Sequence, residues 1–293
     1  MTVRVGVHPS NHTLFITSHL PALRASLRDV EWVRYRGGAS AVHRLGAGEI
    51  EIGGTGGVPP VTGQAAGIDL VYLAASAPRP ARGGLAVPRG SDVRDVAGLR
   101  GARVAFTIGS WQTRLLADLL DGAGLRYEDI EPVPAGPDTY GRFLAGRVDA
   151  WLAPDPPLDR LVRKLGARTL AGTDTGAADP SVFFADRGYA DTHRAEVADV
   201  LAGLHRAELW IAGHREEAAA VYAEHAPDDA AGGPGPVDGP WGLRAPDAEF
   251  LAGQQRTADA LYRALIVAEP VRVADATLSD PVPVPGADQR HPS

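Results

Sequence analysis

Two periods of apolar and polar residues alternate along the chain. The opening Val3-Arg4-Val5-Gly6-Val7 repeats every second residue, as a strand with one buried face does. Residues 14–27 carry apolar positions at helical spacing, and the aromatic and β-branched segment 30–35 reads as a second strand. A short helix is predicted at 39–45, stopped by Gly46 and Gly48, and 50–52 is extended again. Residues 59–66 form a helix with proline in its first turn and Gly67 beyond its end, and 69–74 is the next strand. Such alternation predicts an α/β protein built on a parallel sheet.

The pattern breaks at Pro78-Arg79-Pro80-Ala81-Arg82-Gly83-Gly84, where proline and glycine crowd together. A second series follows: extended at 85–87, 103–106, 130–133 and 148–152, helical at 93–99, 110–123, 139–144 and 158–165. A return crossing is predicted at 174–179, and helices at 194–212, 216–224 and 247–265 complete the chain. Residues 227–240, with four glycines and four prolines, read as a loop or flap, and the tail beyond 277 as irregular. Two crossings between two series predict a hinged α/β clamshell of two lobes with parallel-dominated sheets. Lobe I is expected at 1–80 plus 186–293 and lobe II at 84–178, with hinges near 78–84 and 174–186. Clamshells hold small ligands in the gap between lobes.

Ligands of α/β sheets gather at the carboxyl ends of strands, where loops feed helix starts. Three segments fit: Ser10-Asn11-His12-Thr13, the run Gly53-Gly54-Thr55-Gly56-Gly57-Val58-Pro59-Pro60, and Gly109-Ser110-Trp111-Gln112-Thr113. Each supplies free backbone N–H groups and a hydroxyl at a helix start, a combination that favours an anion. Asp155, at the end of the last strand of the second series, could orient a cationic group or cap the next helix. The glycine run is not a dinucleotide fingerprint, because Pro59 stands where the third glycine belongs. His12 and His43 lie near these loops, and imidazole titrates near neutrality.

Composition narrows the chemistry. Lys+Arg number 29 against 36 Asp+Glu, a formal charge of −7, and Lys164 is the sole lysine. That balance disfavours nucleic acid, whose binding begins with phosphate neutralisation. The absence of cysteine excludes disulfides, thiolate metal sites and cysteine nucleophiles. The nine histidines form no metal-ligand motif, so neither metal nor cofactor is expected. No apolar run is long enough for a membrane span. Met1-Thr2 lead straight into the first strand without an export leader. The expected location is therefore cytoplasmic, or extracytoplasmic if a leader has been removed.

Several segments together resemble the aliphatic sulfonate, nitrate and taurine substrate-binding proteins of ABC importers. They are Gly54-x-Gly56-x-x-Pro59 with Gln64-Ala65-Ala66-Gly67, VPRGSDVRDVAGLRGARVAF (87–106), GSWQTRLL (109–116), GRVDAWLAPDPPL (146–158) and GQQRTADALYRALIVAEPVRVADA (253–276). The resemblance spans about 3–277 and implies the type II periplasmic-binding-protein fold and a cleft that grips a sulfonate-, sulfinate- or carboxylate-like anion. It implies ligand contacts near Asn11, His12, Thr55, Gly56, Ser110, Trp111 and Asp155, to which the strand-end loops themselves add Ser10, Gly57, Gly109 and Gln112 as candidates, and an ABC permease as partner if the chain is exported. SNHTLF (10–15), Val42-His43, Pro59-Pro60 and Gly109-Ser110-Trp111 with Arg114-Leu115-Leu116 are also similar to the cytosolic hydroxybiphenyl sulfinate desulfinases. That similarity implies, as the alternative, a desulfinase- or lyase-like enzyme using His12 and His43 as acid, base or nucleophile. His12 stands at the position of the desulfinase cysteine and Gly53 at that of its arginine, so two of three catalytic positions differ.

Overall fold

A computed structural model describes residues 2–80, 83–173, 178–226 and 239–285. The predicted flap therefore lies almost wholly outside the described residues, as do 174–177 of the return crossing and 286–293 of the tail. Thirteen strands fall into two large sheets and one small ladder among the described residues.

The first sheet runs β13-β4-β12-β3-β1-β2. Its strands are β1 (Val3–Val7), β2 (Val30–Arg34), β3 (Ile52–Thr55), β4 (Leu70–Ser76), β12 (Val182–Asp186) and β13 (Leu243–Arg244). The period-two pattern of β1 does what it predicts: Val3, Val5 and Val7 are buried on one face. Gly6 faces the other side, where a Cβ would come within 2.7 Å of Ile50 Cδ1. Valine face and glycine face pack different helices. On the first face lie α1 (His12–His19), α9 (Arg194–Gly213) and α10 (Arg215–His225), with Leu14, Ile16, Leu201, Leu204 and Tyr222 in one core. On the second lie α3 (Ala41–Gly46), α4 (Val58–Ala65) and α11 (Ala248–Arg263), around Val42, Val61, Tyr72, Phe184 and Phe250.

The second sheet runs β10-β6-β9-β7-β8, from β6 (Gly83–Val87), β7 (Arg103–Phe106), β8 (Glu131–Pro134), β9 (Ala150–Pro154) and β10 (Arg168–Gly172). Helix α5 (Trp111–Gly122) covers one face through Leu115, Leu116 and Leu120. Helices α6 (Thr139–Leu144) and α7 (Pro157–Leu165) cover the other through Phe143 and Leu161. Between the sheets, β5 (Arg79–Pro80) and β11 (Ala178–Asp179) form an antiparallel ladder with Asp179 opposite Arg79.

Parallel pairing joins β1 to β2 and β3, and β7 to β8 and β9. The remaining pairs of both sheets are antiparallel, so the sheets are mixed. The cause is local: β6 and β12 are the first strands after each crossing and run against their neighbours, whereas strand–helix units deliver parallel strands.

Several elements differ from the sequence expectation: β10 and the helix α8 (Arg187–Thr192) were not predicted, and of the helix expected at 93–99 only a 3₁₀ turn at Ala97–Leu99 forms. The helix expected over 14–27 is interrupted, because Leu20 precedes Pro21 and is extended (φ −88°, ψ 114°); α2 (Pro21–Arg24) then restarts it. Strand β12 was not predicted and lies in the stretch given to the second hinge (174–186); Val182-Phe183-Phe184 alternate between the two buried faces, so no polar residue marks the period. The tail lacks regular elements through 285 but is packed, with Leu278, Val282 and Val284 buried in the first-face core. Arg187 donates to the Thr277 carbonyl (3.0 Å) and Arg194 to Asp280 (2.8 Å), tying it down.

Candidate ligand-binding site

The loops leaving β1, β3 and β7 converge on a turn at 37–40. Asn11 caps α1, its Oδ1 accepting the Leu14 N–H at 3.1 Å. Its Nδ2 is buried without a hydrogen-bond partner and lies against β3, 2.8 Å from where a Cβ on Gly54 would stand. The glycines of β3 thus permit close approach: Gly53 faces the Phe184 ring, Gly54 faces Leu14 and Asn11. His8, fully buried, reaches the Gly54 carbonyl through Nε2 at 3.0 Å and stacks on Tyr35 at 5.7 Å. Burial pulls the His8 pKa down to about 4 and pushes the Tyr35 hydroxyl up. Gly38 sits over the His8 ring, and its neighbour Ala39 touches Gly109 of the second lobe, where a Cβ would be 2.9 Å away.

A cavity of about 500 Å³ opens beside these loops, between α4 and α11 on one side and α5 on the other. Gly57 and Val58 line it at the start of α4; Trp111, Arg114, Leu115 and Asp118 line it from α5. Pro78, Asp179 and Pro180 contribute from the crossings, and Arg244, Gln254, Arg256 and Thr257 from β13 and α11. Arg114 ties the walls together, donating to Asp118 (2.7 Å) on its own helix and to Thr257 Oγ1 (2.8 Å) on α11. Arg244 lies 3.4 Å from Glu249. Gln254 donates to the Gly57 carbonyl at 3.0 Å, and the Gly57 N–H donates to Asp179 Oδ1 at 2.9 Å. Arg256 differs from its neighbours: it is exposed and has no ion-pair partner among the described residues. An apolar floor of Trp111, Leu115, Val58 and Phe250 below arginines and amides suits an organic anion with a carbon chain.

Of the residues singled out in the sequence, Gly57 and Trp111 line this cavity, and Gly56 backs onto the Asp179 carboxylate. Thr55 is buried and donates to the Gly56 carbonyl at 2.8 Å. Ser110 is an N-cap, accepting from Gln112 N–H and donating to the Thr107 carbonyl (2.6 Å). The buried Gln112 side chain accepts the Thr107 N–H at 2.6 Å, and the Gly109 N–H is taken by Thr113 Oγ1. Ser10 and Asp155 are exposed and do not line the cavity. His12 meets Tyr222 edge-on at 4.7 Å on the first face, whereas His43 is exposed on α3 on the second. The two imidazoles are not brought together. Arg114, Asp179, Arg244, Gln254, Arg256 and Thr257 were missed. Extending the Trp111 helix face by three and four residues would have found Arg114 and Leu115; α11 reaches the cavity only through tertiary packing.

Comparison with known proteins gives this architecture a context. The NMT1/THI5-like family matches residues 28–218. The chain belongs to that family. An aliphatic sulfonates-binding protein of Escherichia coli K12 is 34% identical over 253 residues, covering 83% of this chain and 77% of the relative. A Bacillus subtilis protein of the same description is 28% identical over 228 residues, covering 76% and 69%. The crystal structure of the periplasmic aliphatic sulphonate-binding protein SsuA from E. coli superposes with a TM-score of 0.77 at 29% identity, over 100% of this chain and 97% of that one. SsuA from Xanthomonas axonopodis, bound to MOPS, gives 0.77 at 30% identity over 94% and 98%. The desulfurization enzyme DSZB shares the fold at a TM-score of 0.67 and 20% identity, over 94% of this chain and 96% of that one. This NMT1/THI5-like chain thus has the two-lobed periplasmic-binding-protein fold. Among its described residues no three His, Asp or Glu are grouped to hold a metal ion, and no helix is long and apolar enough to cross a membrane.

Proposed function

We propose that the chain binds an organic sulfonate, or an anion of similar shape, in the cavity between its lobes and closes on it as a substrate-binding protein. Arg256 carries the reading. A guanidinium lining a half-apolar cavity, without a carboxylate partner among the described residues, is a ready counter-charge for an anionic head group. Sulfonates are the ligands after which the relatives are named, and MOPS, itself a sulfonate, is bound in a structure 30% identical to this chain. In this reading the lobes are 1–80 plus 186–293 and 84–178, one on each large sheet, and they flex at the β5–β11 ladder. The E. coli relative is periplasmic; the same location here would place the chain beside an ABC permease that takes over its ligand. Acid–base chemistry by His12 and His43 has less support, since their helices pack on opposite faces of one sheet and neither residue lines the cavity.

Thermal denaturation in MOPS and in alkanesulfonates from ethane- to octanesulfonate tests the reading, with alkyl carboxylates and sulfate as comparators. A ligand that binds the native state raises the melting temperature with the logarithm of its concentration. Sulfonates are expected to do so, and Arg256→Ala to weaken MOPS binding about 10- to 100-fold by calorimetry. A melting temperature unmoved by every sulfonate overturns the proposal.

A further inference from the structure

The start of α4 has few free donors. Pro59 and Pro60 occupy the second and third positions of the helix and have no N–H, which leaves those of Gly57 and Val58. One of the two is already engaged by a carboxylate of this chain. Asp179 Oδ1 accepts the Gly57 N–H at 2.9 Å. Its other oxygen lies so close to the backbone of Gly56 that a Cβ there would stand 2.2 Å from it. The carboxylate rests flat on a glycine floor that any side chain would fill. Asp179 also belongs to β11, paired with β5 in the ladder that joins the two sheets. Both Gly57 and Asp179 line the cavity.

We propose that Asp179 is a built-in competitor of the ligand: its carboxylate holds the Gly56–Gly57 floor, and the arriving anion displaces it. The inference rests on the sulfonate-binding reading of the same cavity. Two properties follow. The anion must exchange for an internal carboxylate rather than fill an empty position, so affinity is held below what the donors could supply. Displacement also removes a bond between α4 and a crossing strand, so head-group binding is coupled to the connection between the lobes. A negative charge at a helix start is favourable in its own right, so the contact stabilises the unliganded protein while opposing the ligand.

Those opposite signs set the experiment. Asp179→Asn keeps the size of the side chain and removes its charge. MOPS binding to it, measured by calorimetry, is expected to be about tenfold tighter than to the wild type, while its melting temperature without ligand falls. A side chain with a purely structural role would lower stability and leave affinity unchanged or weaker, and that result overturns the inference. The wild-type protein supplies a second readout in the ¹H–¹⁵N resonance of the Gly57 amide, which should shift on titration with MOPS as its acceptor is exchanged. MOPS binding with that resonance unmoved also overturns it. Absence of any sulfonate binding by the wild type is a different failure, that of the underlying reading.

Discussion

His8 illustrates what a single side chain contributes beyond its place in the pattern. The Gly54 carbonyl can only accept, so Nε2 carries the ring proton, and the bare Nδ1 lies buried without a partner. A second proton would place charge in an apolar, solvent-free environment, which is why the pKa falls from 6.5 to about 4. The unfolded chain accepts that proton below pH 6.5 while the native state refuses it until about pH 4. This stability is therefore complete above pH 6.5 and declines as pH falls through the window, with a ceiling of about 3 kcal/mol. Urea titrations at pH 7 and pH 5 should show the wild type losing of the order of 2 kcal/mol to this residue. His8→Gln, which cannot titrate, should lose less between the same two pH values. An equal loss would place the titration elsewhere. In the sequence nothing sets His8 apart from the other eight histidines. Its burial depends on Gly38 lying over the ring, and no local pattern reports that contact.

At the scale of elements, periodicity worked where non-apolar residues interrupt the apolar ones at regular spacing. The helix at Trp111–Gly122 was readable because polar residues mark its open side, and the strand at Val3–Val7 because Arg4 and Gly6 alternate with its valines, although both of its faces are covered. It failed at Val182–Asp186, enclosed on both faces, and across Leu20, where one proline resets a helix. Contacts between elements were less legible still. Glu208 of α9 is buried and accepts Thr13 Oγ1 of α1 at 2.8 Å and the Gly242 N–H ahead of β13 at 2.5 Å. It joins two helices and a strand whose residues are far apart in sequence. Glu208→Ala would leave the buried Thr13 hydroxyl and the half-buried Gly242 N–H without this acceptor, and should cost about 2–4 kcal/mol in urea unfolding. Thr13→Val removes one donor from the same group and should cost about 1 kcal/mol. A Glu208→Ala penalty below that of Thr13→Val would contradict this account.

For the molecule as a whole, the change of sheet at 78–84 was written in proline and glycine, and the strand-end loops in glycine and hydroxyl residues. The wall formed by α11 was not, because Gln254, Arg256 and Thr257 become neighbours of Trp111 only when the two sheets meet. Arg114 spans that meeting line through Thr257. Arg114→Ala should enlarge the radius of gyration of the unliganded protein in small-angle X-ray scattering and weaken MOPS binding, whereas a lysine, lacking the planar fork, should recover only part of either. Unchanged scattering together with unchanged affinity would remove Arg114 from both roles. The order of the sheets also bears on how the chain is made. All five strands of the second sheet come from one uninterrupted stretch, 83–172, while the first sheet needs β12 and β13 from beyond it, and its core needs Leu278, Val282 and Val284. On a ribosome the middle of the protein can therefore mature before the part begun first. The opening strands must wait, incompletely covered, for residues synthesised some two hundred positions later, and that interval is when the nascent chain most needs a chaperone.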